Sequence, residues 1–302
     1  MKIKAVYIVL FLFYTFCFLF PSDIVIDYLD GILEIKEGKQ WVELYEDDEI
    51  EVESTIRLSE DGIVELSGED IKLTLVKPGI YNLYEIVAES EEIGGYDLDT
   101  IISKTLVSFV TGEYEDDKRE ASFGARALAA KEVEINYIGD EYVSLFYEKG
   151  RKLVDEEKYS EAIEKFEEAL DYVNLEKEHI FYFYMAYCYY QIGKYGPAIA
   201  YLSDINIEPY MPFYSDFIVL YGKLLVQSQA YQDALILLSD FIKNDKTEDK
   251  DIVQSVLFLS AICEINLGKK DSALINLIMA KEINIDSDIG IKAKKLIKNL
   301  NM

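Results

Sequence analysis

The stretch Glu157-Lys158-Tyr159-Ser160-Glu161-Ala162-Ile163-Glu164-Lys165-Phe166 decides the fold of half the chain. Its apolar residues, Tyr159, Ala162, Ile163 and Phe166, recur at steps of three and four. That is the period of a helix with one face to bury. The pattern then returns: Ala162, Ala198, Ala234 and Ala273 stand 36, 36 and 39 residues apart. Twelve residues before each lies a small residue, Gly150, Ala186, Gly222 and Ala261. Three before lie Tyr159, Tyr195, Tyr231 and Lys270, and four after lie Phe166, Leu202, Leu238 and Leu277. A repeat of this length cannot bury its apolar face alone, so its units must stack.

This spacing resembles the tetratricopeptide (TPR) family of helix–turn–helix repeats. The resemblance covers residues 143–287 and implies four repeats, at about 143–176, 179–212, 215–248 and 254–287, within an all-α solenoid over 141–287. It gives the eight small residues the role of packing points where helices cross closely. Two features depart from the family: the Pro that often closes a repeat is missing, and Lys270 replaces the turn aromatic. Residues 288–302 read as a capping helix, with Ile289, Ile291, Leu296, Ile297 and Leu300 on one face and lysines elsewhere.

The first helix of each TPR unit lines a concave groove, which by resemblance places Tyr147, Arg151, Phe183, Tyr187, Tyr190, Lys223 and Phe258 against a protein partner. Only Arg151 and Lys223 are cationic there, too few for a carboxylate clamp. An apolar, tyrosine-rich groove suits a partner's helix or extended segment. The competing reading is that Phe181 to Tyr190, with seven aromatics in ten residues, packs internally or lies under the connector.

Residues 23–90 carry a different pattern. Short runs such as Ile32–Ile35, Trp41–Leu44, Ile50–Val52, Ile63–Leu66 and Ile71–Leu75 alternate apolar with polar residues, separated by Gly and acidic turns. Five to seven antiparallel strands with acids outward make a small sandwich or roll. In the order Gly31, Trp41, Leu44, Asp48, Ile50, Ile56-Arg57, Ser59, Val64-Glu65-Leu66 and Ile71-Lys72-Leu73, the region resembles the FecR domain family. Asp47 stands where that family has a turn Gly. The resemblance implies the fold and an envelope location, but not sigma-factor regulation, because only Met1 to Lys4 precede the first apolar run. Trp41 is expected in the core and Arg57 on a local acid. The fold class is therefore α+β in two domains, an all-β domain followed by an all-α solenoid.

Between them, residues 91–140 form a connector with a helix near 97–110. At the N-terminus, Lys2 and Lys4 precede a 16-residue uncharged run, Ala5 to Phe20. At 1.5 Å per residue this spans about 24 Å, short of a bilayer's hydrocarbon core. Residues 1–22 thus read as a signal peptide or an N-terminal anchor, and the body as periplasmic, with membrane contact only through an uncleaved N-terminus.

The chain holds 30 Lys+Arg against 57 Asp+Glu, a net of −27, and one histidine. Residues 23–100 alone contain 23 acids and 5 bases. Nucleic-acid binding has no basic footprint. A lone His179, read as solvated or capping, and three cysteines leave little for catalysis or a metal, so no enzyme activity, no metal and no cofactor is expected. The acidic run Glu46–Glu49 lacks EF-hand spacing. Cys188 and Cys263 are expected buried as small hydrophobes. With catalysis disfavoured, the TPR resemblance and the export signal together imply a non-enzymatic scaffold that binds other envelope proteins. TPR proteins of this kind resemble assembly factors for envelope complexes, including periplasmic flagellar collar components of spirochaetes. The alternative is a ligand- or cell-wall-glycan-sensing protein acting through the FecR-like domain.

Overall fold

The computed structural model describes residues 23–68, 71–93, 141–174, 177–244 and 249–300. The segment 1–22 and the connector helix expected near 97–110 lie outside them. The chain divides into two compact units, Met1–Gly95 and Tyr96–Met302.

The first unit is a two-sheet sandwich. Its strands are β1 (Asp23–Asp30), β2 (Leu33–Glu37), β3 (Gln40–Leu44), β4 (Glu49–Glu51), β5 (Thr55–Leu58), β6 (Ile63–Ser67), β7 (Lys72–Leu75) and β8 (Gly79–Asn82). One sheet has the order β4-β1-β6-β7 and the other β3-β2-β5-β8, with antiparallel neighbours throughout. Alternation sets the core: Ile24, Ile26, Ile50, Val64, Leu66, Leu73 and Leu75 from one sheet meet Leu33, Leu44, Ile56 and Leu58 from the other. A helix, α1 (Leu83–Ile93), follows β8 and adds Leu83, Ile86 and Val87 to this core. It starts where the Asn82 side chain accepts the Glu85 amide at 3.3 Å, an N-cap in the Asn-x-x-Glu pattern.

Three expectations need correction. The described residues form eight strands where the pattern predicts five to seven. Trp41 is not in the core. Leu44 pairs with Leu33 inside, so period two turns Trp41 and Glu43 to the outer face, where Trp41 sits opposite Lys36, half-buried. Glu65, expected outward into solvent, is 2% exposed and pairs with Lys72 at 3.2 Å.

The acidic run before β4 is a turn. The Glu46 carboxylate accepts the Leu29 amide at 3.0 Å, and that of Asp48 accepts the Tyr45 amide at 2.8 Å. Between them Asp47 has φ 68°. Asp tolerates this left-handed conformation because its short side chain bonds locally.

The second unit stacks four helix pairs: α2 (Glu141–Asp155) with α3 (Tyr159–Leu170), α4 (Glu178–Gln191) with α5 (Tyr195–Ser203), α6 (Tyr214–Gln227) with α7 (Tyr231–Asn244), and α8 (Lys250–Asn266) with α9 (Lys270–Ile283). A last helix, α10 (Asp288–Leu300), packs on α9. In α3, Ala162, Ile163, Phe166 and Ala169 are buried while glutamates face water. The eight small residues lie where the repeat pattern puts them, all buried. A Cβ on Gly150 would come within 2.3 Å of Phe166 Cε1, and one on Gly222 would meet Leu238 Cδ2 at 2.9 Å.

Every pair turns through the same motif. Residues Glu157, Gly193, Gln229 and Gly268, each five before the repeat alanine, are left-handed, with φ between 57° and 75°. After each, a backbone N–H reaches back five residues: Lys158 to Leu153, Lys194 to Tyr189, Ala230 to Leu225 and Lys269 to Glu264, at 2.7–2.9 Å. This is the Schellman closure, which satisfies carbonyls that a helix end leaves bare.

Candidate interaction surface

The seven residues expected to meet a partner sit on α2, α4, α6 and α8, the first helix of each pair. Most of them are not available at a surface. Tyr147, Phe183, Tyr187, Lys223 and Phe258 are buried, and only Arg151 and Tyr190 are half-buried. The expectation of an open, tyrosine-rich groove is corrected for those five. Four of the five are aromatic, and burying those large rings against neighbouring helices removes more apolar area from water than an open groove would.

The first seam shows how. Tyr147 lies edge-on to Phe181 and Tyr184, at centroid distances of 6.3 and 5.5 Å, and Phe166 packs on Phe181 and Tyr184 at 6.2 and 5.4 Å. The hydroxyls buried with these rings need partners. Those of Tyr147 and Tyr184 lie 3.2 Å apart, and Arg151 Nη1 donates to them at 3.1 and 2.8 Å. Tyr184 was not among the expected site residues. Its signal is the aromatic run itself, since α4 is apolar on more than one face and must be buried on more than one side.

The second cation works similarly. Lys223 Nζ donates to the Tyr190 hydroxyl and sits 4.6 Å from that ring's centroid, while Tyr190 stacks on Tyr195 at 5.7 Å. Tyr187 packs edge-on to Tyr159 at 6.3 Å, and Phe183 stacks on Phe213 at 5.0 Å. Burial pushes the Tyr187 phenol up, with the nearby Tyr159 adding to it. Both expected groove cations are thus bound to tyrosines of α4 and hold the first three pairs together. Of the seven, only Arg151 and Tyr190, at the rim of these packed helices, keep part of their surface in solvent.

His179 is half-buried on α4; its Nδ1 makes no hydrogen bond. Cys188 and Cys263 are buried and free, and burial raises both thiols, that of Cys263 to about 12. Among the described residues, no group of three His, Cys, Asp or Glu side chains is placed to hold a metal.

On the β unit, Arg57 donates from Nε to Glu34 Oε2 at 2.6 Å, the local acid expected, and its guanidinium lies 4.5 Å from the Trp41 ring centroid. One face of that ring is thereby covered by the cation.

No family model matches the chain, and no curated protein does. Solved structures that it resembles include the crystal structure of YrrB, a TPR protein with an unusual peptide-binding site. The identity is 19% and the TM-score 0.42, over 57% of this chain and 83% of that one.

Proposed function

We propose that this protein is a non-catalytic adaptor of the bacterial envelope that holds protein partners through a TPR-type solenoid, with the FecR-type sandwich as a second positioning module. The observation that carries the reading is the stack of four helix pairs closed by one shared turn, a surface that extends by repetition. Export rests on the charged and apolar pattern of residues 1–22, cleaved or retained as an inner-membrane anchor. Asp47, left-handed where the FecR family has Gly, keeps the turn that family needs. A place in assembling an envelope or periplasmic flagellar complex belongs to the same proposal.

The test is recovery of envelope proteins on the immobilised full-length chain, with Arg151→Glu and Tyr190→Ala as variants. A partner retained by the native protein and lost from both variants, at unchanged helicity, supports the rim as the contact. Recovery of no protein above background overturns the adaptor reading.

A further inference from the structure

The four pairs can be compared position by position, and one outer face departs from the rest. Two, five and six residues after the repeat alanine, α3 carries Glu164, Glu167 and Glu168, all exposed. The same positions on α9 carry Ile275, Ile278 and Met279, which are 60%, 40% and 47% exposed. The neighbouring second helix, α7, begins the change with exposed Ile236 at the first of these positions. The opposite side of α9, through Ala273, Leu277 and Ala280, is buried. An exposed isoleucine alone needs no account, but three large apolar side chains on one helix face do.

The charges bordering this stripe name its occupant. Lys270-Asp271 stands at one end of α9 and Lys281-Glu282 at the other, eleven residues on, which is three turns and the same face. Neither dipeptide makes an ion pair with a described residue, whereas Lys165 on α3 pairs with Glu168 and Lys243 on α7 with Asp240. The arrangement is its own complement. If two α9 helices lie antiparallel about a two-fold axis at residue 276, Lys270 meets Glu282 of the second copy and Asp271 meets Lys281. The axis repeats both contacts, and the Ile/Met stripes close between them.

We propose that the outer face of α9 is an isologous interface between two copies of this chain, sealed by Ile275, Ile278 and Met279 and set in register by these four charges. This goes beyond the adaptor reading and does not depend on the partner of the Arg151–Tyr190 rim.

Sedimentation velocity of the full chain, from about 1 to 300 µM, reads the association of a small interface. The expected result is a concentration-dependent dimer that Ile275→Asp weakens at least about tenfold. Lys270→Glu and Glu282→Lys, each alone, set like charges face to face and weaken it. The two together restore it, a rescue that misfolding cannot mimic. A monomer throughout, a dimer indifferent to Ile275→Asp, or a double variant no better than the single ones overturns the proposal. So does retention on vesicles of anionic lipid that Ile275→Asp abolishes, which would assign the stripe to a membrane.

Discussion

The two units bury opposite kinds of side chain. The sandwich core is aliphatic, and its tryptophan lies on the outer face under Arg57. The helical unit buries its aromatics, and with them hydroxyls that find Lys223 inside and the half-buried Arg151 at the edge. A core of Ile, Leu and Val constrains its neighbours only through volume and shape. A core of tyrosines is also a hydrogen-bonded network, so its neighbours are fixed in orientation as well as in contact. The lesson is that an aromatic-rich segment in a repeat array can be an internal fastener where its composition reads as a docking surface.

The contrast can be broken most severely at Phe166. Phe166→Ala opens the seam between the first two pairs and should cost the helical unit about 3–5 kcal/mol. Its counterpart Trp41→Ala, an aromatic of the other unit, should cost under about 1 kcal/mol, since an exposed cation–π contact is worth no more. Denaturant titration followed at 222 nm reads the helices. A comparable loss in both units would refute the contrast.

A smaller effect should separate the units by pH. Burial, then the hydrogen bond to Glu178, holds the Tyr182 phenol up to about 12, and burial does the same for Tyr189 and Tyr221. In the unfolded chain a tyrosine ionises near 10. The folded state therefore favours the protonated phenols; their contribution is complete below pH 10 and is lost as pH rises toward 12. The 222 nm midpoint should fall across that window, with phenolate absorbance rising alongside unfolding. Exposed tyrosines such as Tyr45 and Tyr210 ionise near pH 10 in either state; ionisation of every tyrosine near pH 10 while the helices remain folded would refute the burial of these three.

The mildest test is at the turns. Glu157→Gly or Gln229→Gly relieves a left-handed side chain and should stabilise by about 0.5–1 kcal/mol after the entropy that glycine adds to the unfolded chain. Gly193→Ala should destabilise by a similar amount, read by the same titration.

The helix pairs were legible because the repeat supplies four readings of one pattern, each correcting the others. The Schellman turn was legible too in retrospect, with Gly193 and Gly268 in register, but Glu157 and Gln229 conceal it. In the sandwich the losses have local causes. The sheet register shifts between Ile26 and Tyr28, which breaks period two within β1, and β8 is four residues long directly after Pro78. Helix α1 had a readable start in Asn82-x-x-Glu85. Trp41 lies outside because it stands three residues from the buried Leu44, and along a strand that odd spacing outranks side-chain size. The packing of the groove aromatics was left open by the sequence for a deeper reason: the alignment of repeats names which residues share a face, and says nothing of how tightly that face closes.

The glycines of the helical unit carry one more consequence. At the crossing point the pairs read Gly150, Ala186, Gly222, Ala261, and at the turn Glu157, Gly193, Gln229, Gly268. Both positions alternate, out of phase, so first and third pairs are of one kind and second and fourth of another. The modular unit of the array is then a block of two pairs, and Gly150 and Gly222 mark its period of 72 residues. Removing one internal pair would set like against like at a junction that has no precedent in the molecule. Excising one block would rejoin surfaces that already fit.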